Sequence, residues 1–335
     1  MVVVGPRREA LAALLPAAAE EDAGHAAEVV VVSRVKRQEK GHDAADDGGP
    51  ASRMPRTIRI MVATLAWMAC GSWLASAAHA EPIGSLPPSE ETAKARLNGS
   101  PRHGELATVD LPGAPLRVWA VYPERKDRAP VVVVIHEIFG LTDWIRAVAD
   151  QLAAEGFIAL APDLLSGKGP NGGGTDAYAS RDDVTKAVSS LPRDEVIARL
   201  NAVRAYGLAR PGASTRTATI GFCWGGSISF AYAVAQPGLN AAVVYYGTAP
   251  DDLSTLASVK APILGLYGGN DARVDATIPA TEARMKALGR TYEPHVFDGA
   301  GHGFLRAQAG QDGANLRATE RAWPTTIAFL RRHTE

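Results

Sequence analysis

The sequence motif Gly-Phe-Cys-Trp-Gly-Gly at residues 221–226 places a cysteine between two glycines. This spacing is typical of a tight strand-to-helix turn that presents a nucleophile, because a side chain at either glycine would collide across the turn. The helix that follows directs its positive N-terminus at the sulfur, which favours the thiolate. We therefore predict that Cys223 is a catalytic nucleophile. The competing interpretation is an inert buried cysteine beside a glycine-rich turn.

A nucleophilic cysteine needs a general base and a group that orients the base. His302 stands between two glycines in a loop ahead of the last predicted helix, where its imidazole could reach the sulfur. Of the other seven histidines in the chain, only His136 lies at the carboxyl end of a predicted strand. In proteins with a nucleophile turn of this kind, the catalytic residues follow one another along the chain in the order nucleophile, acid, histidine. His302 is therefore the predicted base, and His136 is the competing candidate.

Asp271 is the predicted orienting acid. It ends the sequence Gly-Gly-Asn-Asp at residues 268–271, directly after a predicted strand, so its carboxylate emerges at that strand's carboxyl end. The same four residues also suit a simple turn. Asp298 is the runner-up, but it lies in the loop just before the histidine. Chain order favours Asp271, which gives the predicted triad Cys223, Asp271 and His302.

A second motif, His-Glu-Ile-Phe-Gly-Leu at residues 136–141, follows another buried strand. A loop in this position supplies one backbone N–H of an oxyanion hole, and the residue after the nucleophile supplies the other. The predicted donors are the N–H groups of Ile138 and Trp224. Glu137 is predicted to lie near the thiol, where its charge disfavours the thiolate and protects the sulfur from oxidation. The alternative interpretation of Glu137 is a surface glutamate.

The elements that must position these residues alternate between strand and helix. Residues 131–135 form a continuous β-branched run, as in parallel strands that are buried on both faces. The alternation predicts an α/β fold with a mostly parallel central sheet and helices on both faces. The active site of such a sheet lies at the carboxyl ends of its strands. The predicted strands are 105–111 and 116–122 (an edge hairpin), 130–135, 157–161, 217–220, 241–246, 263–267 and 292–297, and the predicted helices are 143–155, 181–206, 226–235, 277–288 and 315–332.

Together these segments resemble the dienelactone hydrolase (carboxymethylenebutenolidase) family of the α/β-hydrolase superfamily. The resemblance covers residues 103–333. It implies the α/β-hydrolase fold, a reaction that needs neither cofactor nor metal, and a small ester or lactone as substrate. The matching motifs are Glu-Ile-Phe-Gly at 137–140, Pro-Asp-Leu at 162–164, Gly-Phe-Cys-Trp-Gly-Gly at 221–226, Gly-Asn-Asp at 269–271 and Gly-His-Gly-Phe-Leu-Arg at 301–306.

The resemblance also implies roles for individual residues. Cys223 would attack the substrate carbonyl and form a thioester acyl-enzyme, while Asp271 orients His302. Glu137 would take the thiol proton when substrate rearranges the site, and His302 would then help water release the acyl group. Arg306 matches an arginine that binds the substrate carboxylate in the family.

Substrate preference stays open at this stage. The family's second substrate-binding arginine belongs to the region after residues 162–164, where this chain is glycine-rich and then offers Arg181 and Lys186. One alternative function is a broad carboxylesterase or acyl-transfer enzyme with no preference for dienelactone. Another is a non-catalytic thiol-sensing protein on a hydrolase scaffold, because a shared fold does not fix a function.

The N-terminal part of the chain differs in character from the rest. Residues 1–53 are rich in Ala, Glu, Asp and Gly, which is typical of disorder. The signal-like sequence that begins at Met54 indicates translation from that residue, which would make residues 1–53 a start-site artefact. Residues 54–80 have the arrangement of a signal peptide, with arginines, a charge-free run and a final Ala-His-Ala. A membrane anchor formed by residues 60–78 is the competing interpretation. The predicted remainder is a linker at 81–102 and a catalytic domain at 103–335.

The composition indicates which partners can be excluded. With a formal net charge of -1, the chain does not have the excess of basic residues that is typical of a nucleic-acid binder. The two cysteines, Cys70 and Cys223, do not have the spacing of a zinc site or a redox pair, so we expect neither a disulfide scaffold nor a structural metal. We expect a monomer that binds a small ester or lactone. We expect the protein to be periplasmic or secreted, without stable membrane insertion once the signal peptide is cleaved.

Overall fold

The structure is a computed structural model that describes residues 86–335. The predicted segment 1–53 and the predicted signal peptide 54–80 lie outside these residues. Within the described part of the chain, no helix is both long and apolar enough to cross a membrane.

Within residues 86–335, eight strands form one sheet, in the order β1-β2-β4-β3-β5-β6-β7-β8 when they are numbered along the chain. The strands are β1 (Gly104–Val109), β2 (Leu116–Val121), β3 (Ala129–Ile135), β4 (Ile158–Pro162), β5 (Ala213–Phe222), β6 (Ala241–Tyr245), β7 (Ile263–Gly268) and β8 (Tyr292–Phe297). The β1–β2 and β2–β4 pairs are antiparallel, and the other neighbouring pairs are parallel. The predicted mostly parallel sheet and its edge hairpin are confirmed.

Helices surround this sheet. They are α1 (Glu90–Asn98), α2 (Asp143–Ala154), α3 (Arg181–Ser189), α4 (Arg193–Leu208), α5 (Trp224–Ala235), α6 (Ala272–Asp275), α7 (Ile278–Ala287) and α8 (Ala314–Thr334).

The buried core divides into two main clusters on opposite faces of the sheet. Every residue of β3 is buried, and because successive side chains of a strand alternate between faces, its residues supply both clusters. Val132 and Val134 pack in a cluster with side chains of α2 and α8. Val131 and Val133 pack in the other cluster, with side chains of α4, α5 and α7. Helices therefore cover both faces, as predicted.

The predicted single helix at 181–206 is wrong, because two helices, α3 and α4, occupy that stretch. Pro192 separates them at the N-cap of α4, with φ −62° and ψ 131°. Proline has no backbone N–H and disfavours helical geometry in the residue before it, and Pro192 itself is extended, so the helix is broken at this position.

The segment that was predicted as a linker contains helix α1. Its only buried residue is Ala93, so the helix shows no apolar stripe in the sequence. Glu90 and Glu91 lie in its first turn, where negative charge is favourable, and Arg96 lies in its last turn. Local charge therefore supports this helix more than apolar periodicity does.

The carboxyl ends of four strands gather the predicted site residues. The strands β3, β5, β7 and β8 end at residues 135, 222, 268 and 297. Each end is followed within a few residues by one part of the predicted site. The sheet thus brings together residues that are far apart in sequence.

Candidate active site

Cys223 occupies the turn between β5 and α5 with φ +55° and ψ −118°. Such a backbone conformation is rare for a residue with a side chain and costs about 1–3 kcal/mol. The flanking glycines make the turn possible. A Cβ at Gly221 would overlap the carbonyl oxygen of Gly225, and a Cβ at Gly225 would overlap that of His136. The Cys223 N–H donates to the Tyr245 carbonyl at 3.0 Å, which ties the turn to β6.

His302 and Asp271 meet at the same edge of the sheet. The Nδ1 atom of His302 lies 2.5 Å from Oδ2 of Asp271. Asp271 is buried at 8% exposure, whereas the His302 side chain is 35% exposed. Within residues 86–335, no hydrogen bond occupies Nε2 of His302 or joins the imidazole to the Cys223 thiol. The buried carboxylate thus orients the ring and leaves Nε2 available for proton transfer.

The two competing residues are placed differently. His136 is fully buried, with Nδ1 2.7 Å from the Glu137 carbonyl oxygen, and its ring stacks on Trp224 at a centroid distance of 5.5 Å. Burial lowers the pKa of His136, so its ring is neutral. Asp298 is exposed, and among the described residues it is Asp271 that pairs with His302. The structure therefore joins the predicted acid to the predicted base.

The thiol lies in a mostly buried environment. Burial raises the pKa of Cys223, and the nearby Glu137 carboxylate raises it further. The backbone N–H groups of Trp224 and Ile138 oppose this shift, because hydrogen bonds to the sulfur stabilise the thiolate. These N–H groups are the two predicted oxyanion-hole donors, and they converge on one atom. With its pKa raised, Cys223 rests as a protonated thiol at neutral pH.

Thr175 holds the loop that carries Ile138. The Leu141 N–H donates to Thr175 Oγ1 at 3.0 Å, and that hydroxyl donates to Oδ1 of the fully buried Asp163 at 2.7 Å. Gly140 packs so closely here that a Cβ would overlap the Thr175 side chain. The Pro-Asp-Leu motif at 162–164 therefore fixes one side of the site through this chain of hydrogen bonds.

Glu137 is 3% exposed, so its interpretation as a surface glutamate is wrong. Burial raises the pKa of Glu137 to about 7, while the Arg306 guanidinium acts in the opposite direction. The Nε atom of Arg306 lies 2.8 Å from Glu137 Oε2, yet its N–H does not point along a hydrogen bond. This contact is therefore an ion pair without an aligned hydrogen bond. The carboxyl group can change its protonation near neutral pH.

A pair of arginines lies beside Glu137. Nη1 of Arg306 pairs with Oε2 of Glu90, and Nη2 of Arg181 lies 3.1 Å from Oε1 of the same carboxylate. Both guanidinium groups lie over the Phe139 ring, Arg181 at 3.6 Å and Arg306 at 5.3 Å from its centroid. Lys186, the other candidate of this region, is exposed on α3. Arg181 is therefore the residue that joins Arg306.

Glu90 and Tyr246 are site residues that we did not predict from the sequence. Tyr246 follows β6 with φ +40°, is fully buried, and has its ring centroid 5.1 Å from that of His302. Its hydroxyl has no hydrogen-bond partner among the described residues, and burial raises the pKa of Tyr246 so that the phenol stays neutral. The sequence feature that could have indicated Tyr246 is its position at the end of a predicted strand. No sequence feature indicated Glu90, because it lies in the predicted linker.

The chemistry that this arrangement supports follows from its groups. A thiol, an adjacent proton acceptor, two N–H donors on one atom and an oriented imidazole are the requirements of nucleophilic acyl transfer. Among residues 86–335, no group of three or more His, Cys, Asp or Glu side chains could hold a metal ion.

Comparison with known proteins gives a consistent picture. The family model described as "Dienelactone hydrolase family" matches residues 116–334. A protein of Methylorubrum extorquens named "Putative carboxymethylenebutenolidase" is 36% identical over 202 residues, which cover 55% of this chain and 68% of that protein. A carboxymethylenebutenolidase of a Pseudomonas species is 33% identical over 214 residues, which cover 62% of this chain and 86% of that protein.

A solved structure shows the same fold. The crystal structure titled "Putative Dienelactone Hydrolase" from Klebsiella pneumoniae superposes with a TM-score of 0.61 at 28% sequence identity. The match covers 69% of this chain and 98% of that one.

Proposed function

The chain belongs to the dienelactone hydrolase family, and we propose that it cleaves a small ester or lactone through Cys223, His302 and Asp271. The observation that carries this proposal is the His302–Asp271 hydrogen bond, formed at the same sheet edge as the strained Cys223 turn. A nucleophile, a base and an orienting acid at one edge are the requirements of a hydrolytic triad.

Acylation begins from the protonated thiol. The substrate carbonyl oxygen binds between the N–H groups of Trp224 and Ile138, and Glu137 takes the thiol proton. The thiolate then bonds to the carbonyl carbon, and the two N–H groups stabilise the negative charge on the oxygen. The bond to the leaving oxygen breaks, and the proton held by Glu137 ends on that oxygen. The product is a thioester on Cys223.

Deacylation uses the other half of the site. Nε2 of His302 takes a proton from water, and the resulting hydroxide attacks the thioester carbonyl. The sulfur leaves as a thiolate and recovers its proton from the imidazolium, while Asp271 stabilises the charged ring throughout. The acid product departs and the resting thiol is restored.

A thiol-sensing role would need a different thiol. Redox-sensing cysteines are accessible and have lowered pKa values. Cys223 is mostly buried, and both burial and Glu137 raise the pKa of its thiol. These features favour a hydrolase over a sensor.

Trapping of the acyl-enzyme tests the proposal. The whole chain is incubated with p-nitrophenyl acetate, quenched in acid and analysed by peptide mass spectrometry. We expect a single acetyl group on Cys223, and a larger acetylated fraction in His302→Ala because deacylation is slowed. His295→Ala, at an exposed histidine of β8, is the matched control. Ester cleavage with the acetyl group on another residue would refute the proposed nucleophile.

Export of the chain is a separate proposal that rests on the composition of residues 54–80 alone. N-terminal sequencing of exported protein tests it. Cleavage after the Ala-His-Ala sequence supports the proposal, and retention of 54–80 in the exported protein contradicts it.

A further inference from the structure

The helix that precedes the catalytic strands delivers a carboxylate to the active site. α1 begins at Glu90, whose two carboxylate oxygens pair with different arginines, Oε2 with Arg306 and Oε1 with Arg181. One carboxylate thus bridges two guanidinium groups, as a bound carboxylate ligand would. Arg306 also contacts Glu137, so the arginine pair is continuous with the groups around the thiol.

Glu90 is held in this position by the segment that carries it. The Glu90 N–H donates to the Arg306 carbonyl oxygen at 3.0 Å. The indole N–H of the buried Trp144 donates to the Pro88 carbonyl oxygen at 3.0 Å. The side chain of Ala93, in α1 itself, is buried as well. If the segment undocked, the buried indole N–H would lose this hydrogen bond. The carboxylate is therefore a built part of the site.

The charges around Arg306 explain the role of the Glu90 carboxylate. The Arg306 side chain is 20% exposed, and a guanidinium so far removed from water needs a paired anion. Glu90 and Glu137 supply negative charge on two sides of it. A carboxylate on an incoming substrate would have to displace Glu90 or add a third negative charge beside these two. An uncharged substrate meets neither cost.

We propose that Glu90 is a specificity-determining residue that fills the arginine pair from within the chain, so that this hydrolase acts on esters or lactones that carry no carboxylate. The inference rests on the proposed hydrolase function and names its substrate class. Phe139 and the two neutralised arginines then form a wall of the site. The contrary possibility is that Glu90 moves aside to admit a carboxylate, and the test below distinguishes the two.

A matched pair of esters tests the selectivity. p-Nitrophenyl butyrate and mono-p-nitrophenyl succinate have acyl chains of equal length. The butyrate chain ends in a methyl group, and the succinate chain ends in a carboxylate. For the wild type we expect a higher kcat/KM on the butyrate. In Glu90→Ala the ratio of succinate to butyrate kcat/KM rises about tenfold or more, through a lower KM for the anionic ester. Glu91→Ala, at the exposed neighbouring glutamate, keeps the wild-type ratio.

A binding measurement separates this inference from the hydrolase function itself. Butyrate anion is titrated calorimetrically into the wild type, Glu90→Ala and Glu91→Ala, with Glu90→Gln as a more conservative variant that removes only the charge. We expect roughly tenfold tighter butyrate binding in Glu90→Ala than in the wild type and in Glu91→Ala, both of which retain Glu90. If neither ester is cleaved, the hydrolase function fails while binding still reports on Glu90. Equal butyrate affinity in wild type and Glu90→Ala, or a wild-type preference for the succinate ester, would overturn the inference.

Discussion

Arg306 places its Nε atom 2.8 Å from Oε2 of Glu137, a carboxyl group that is buried beside the Cys223 thiol. Burial alone would drive this carboxyl group to stay protonated, and the guanidinium counteracts part of that effect, so that the pKa of Glu137 is about 7. A proton acceptor with a pKa near the working pH is suited to general base catalysis. The Glu137 carboxylate also raises the pKa of Cys223, so this pair influences the protonation of both Glu137 and the thiol.

The first prediction concerns the reactivity of the thiol. Glu137→Gln removes a negative charge that raises the pKa of Cys223, so the thiolate fraction rises. At pH 8, where wild-type Glu137 is ionised, iodoacetamide should alkylate the variant roughly 3- to 10-fold faster than the wild type. Glu91→Gln serves as the control for a lost surface charge. A variant that reacts at the wild-type rate or more slowly would show that Glu137 does not restrain the thiol.

The second prediction concerns stability and pH. The pKa of Glu137 is raised from 4.5 to about 7 in the folded protein, so the folded state binds more protons than the unfolded state between these values. This group's contribution is present below pH 4.5 and is lost as pH rises through about 7, by about 3 kcal/mol in total. Glu137→Gln does not titrate. Its melting temperature relative to wild type should therefore rise by several degrees from pH 5 to pH 8, and a flat or falling difference would contradict the buried assignment.

The third prediction distinguishes the two candidate acids. Asp271→Asn removes the charge that orients the His302 ring, and we expect kcat for p-nitrophenyl acetate to fall roughly 10²- to 10⁴-fold with the fold intact. Asp298→Asn, in an exposed position, should leave kcat within about twofold of wild type. The reverse order of effects would move the acid to Asp298.

The fourth prediction concerns the backbone of the nucleophile turn. At φ +55° a side chain is strained, whereas glycine adopts positive φ without that cost. The free energy of unfolding, measured in urea, should therefore be about 1 kcal/mol higher for Cys223→Gly than for Cys223→Ala, even though glycine loses more backbone entropy on folding. A less stable glycine variant would indicate that the turn is relaxed.

Cys223 and Asp271 could be predicted because each follows a buried strand whose composition is readable, and chain order then indicates His302, which follows the partly exposed strand β8. Val131 to Ile135 and Ile263 to Tyr267 are continuous apolar runs, and the ends of parallel strands must meet at one edge. The sequence therefore indicates which residues share the site before any distance is known. The His302–Asp271 pairing agrees with that expectation.

What could not be predicted depends on long-range packing. Glu90 reaches Arg306 across a sequence separation of 216 residues, from a helix with a single buried side chain and no apolar stripe. Arg181 joins the site because its guanidinium stacks on Phe139. This contact could not be predicted, because the glycine-rich loop before Arg181 does not indicate where the arginine lies. Pro192 breaks the predicted helix 181–206, whereas Pro324 lies inside α8, so a proline in the sequence does not by itself show where a helix ends.

The central claim is that Cys223 is the nucleophile of an ester hydrolase. The most direct measurement compares kcat/KM of the wild type and Cys223→Ala on a small uncharged aryl ester and on dienelactone, with both proteins checked for equal melting temperature. We predict a loss on the order of 10⁴-fold or more in the variant on every ester that the wild type cleaves. A Cys223→Ala variant that retains activity within tenfold of the wild type would contradict the account at its centre.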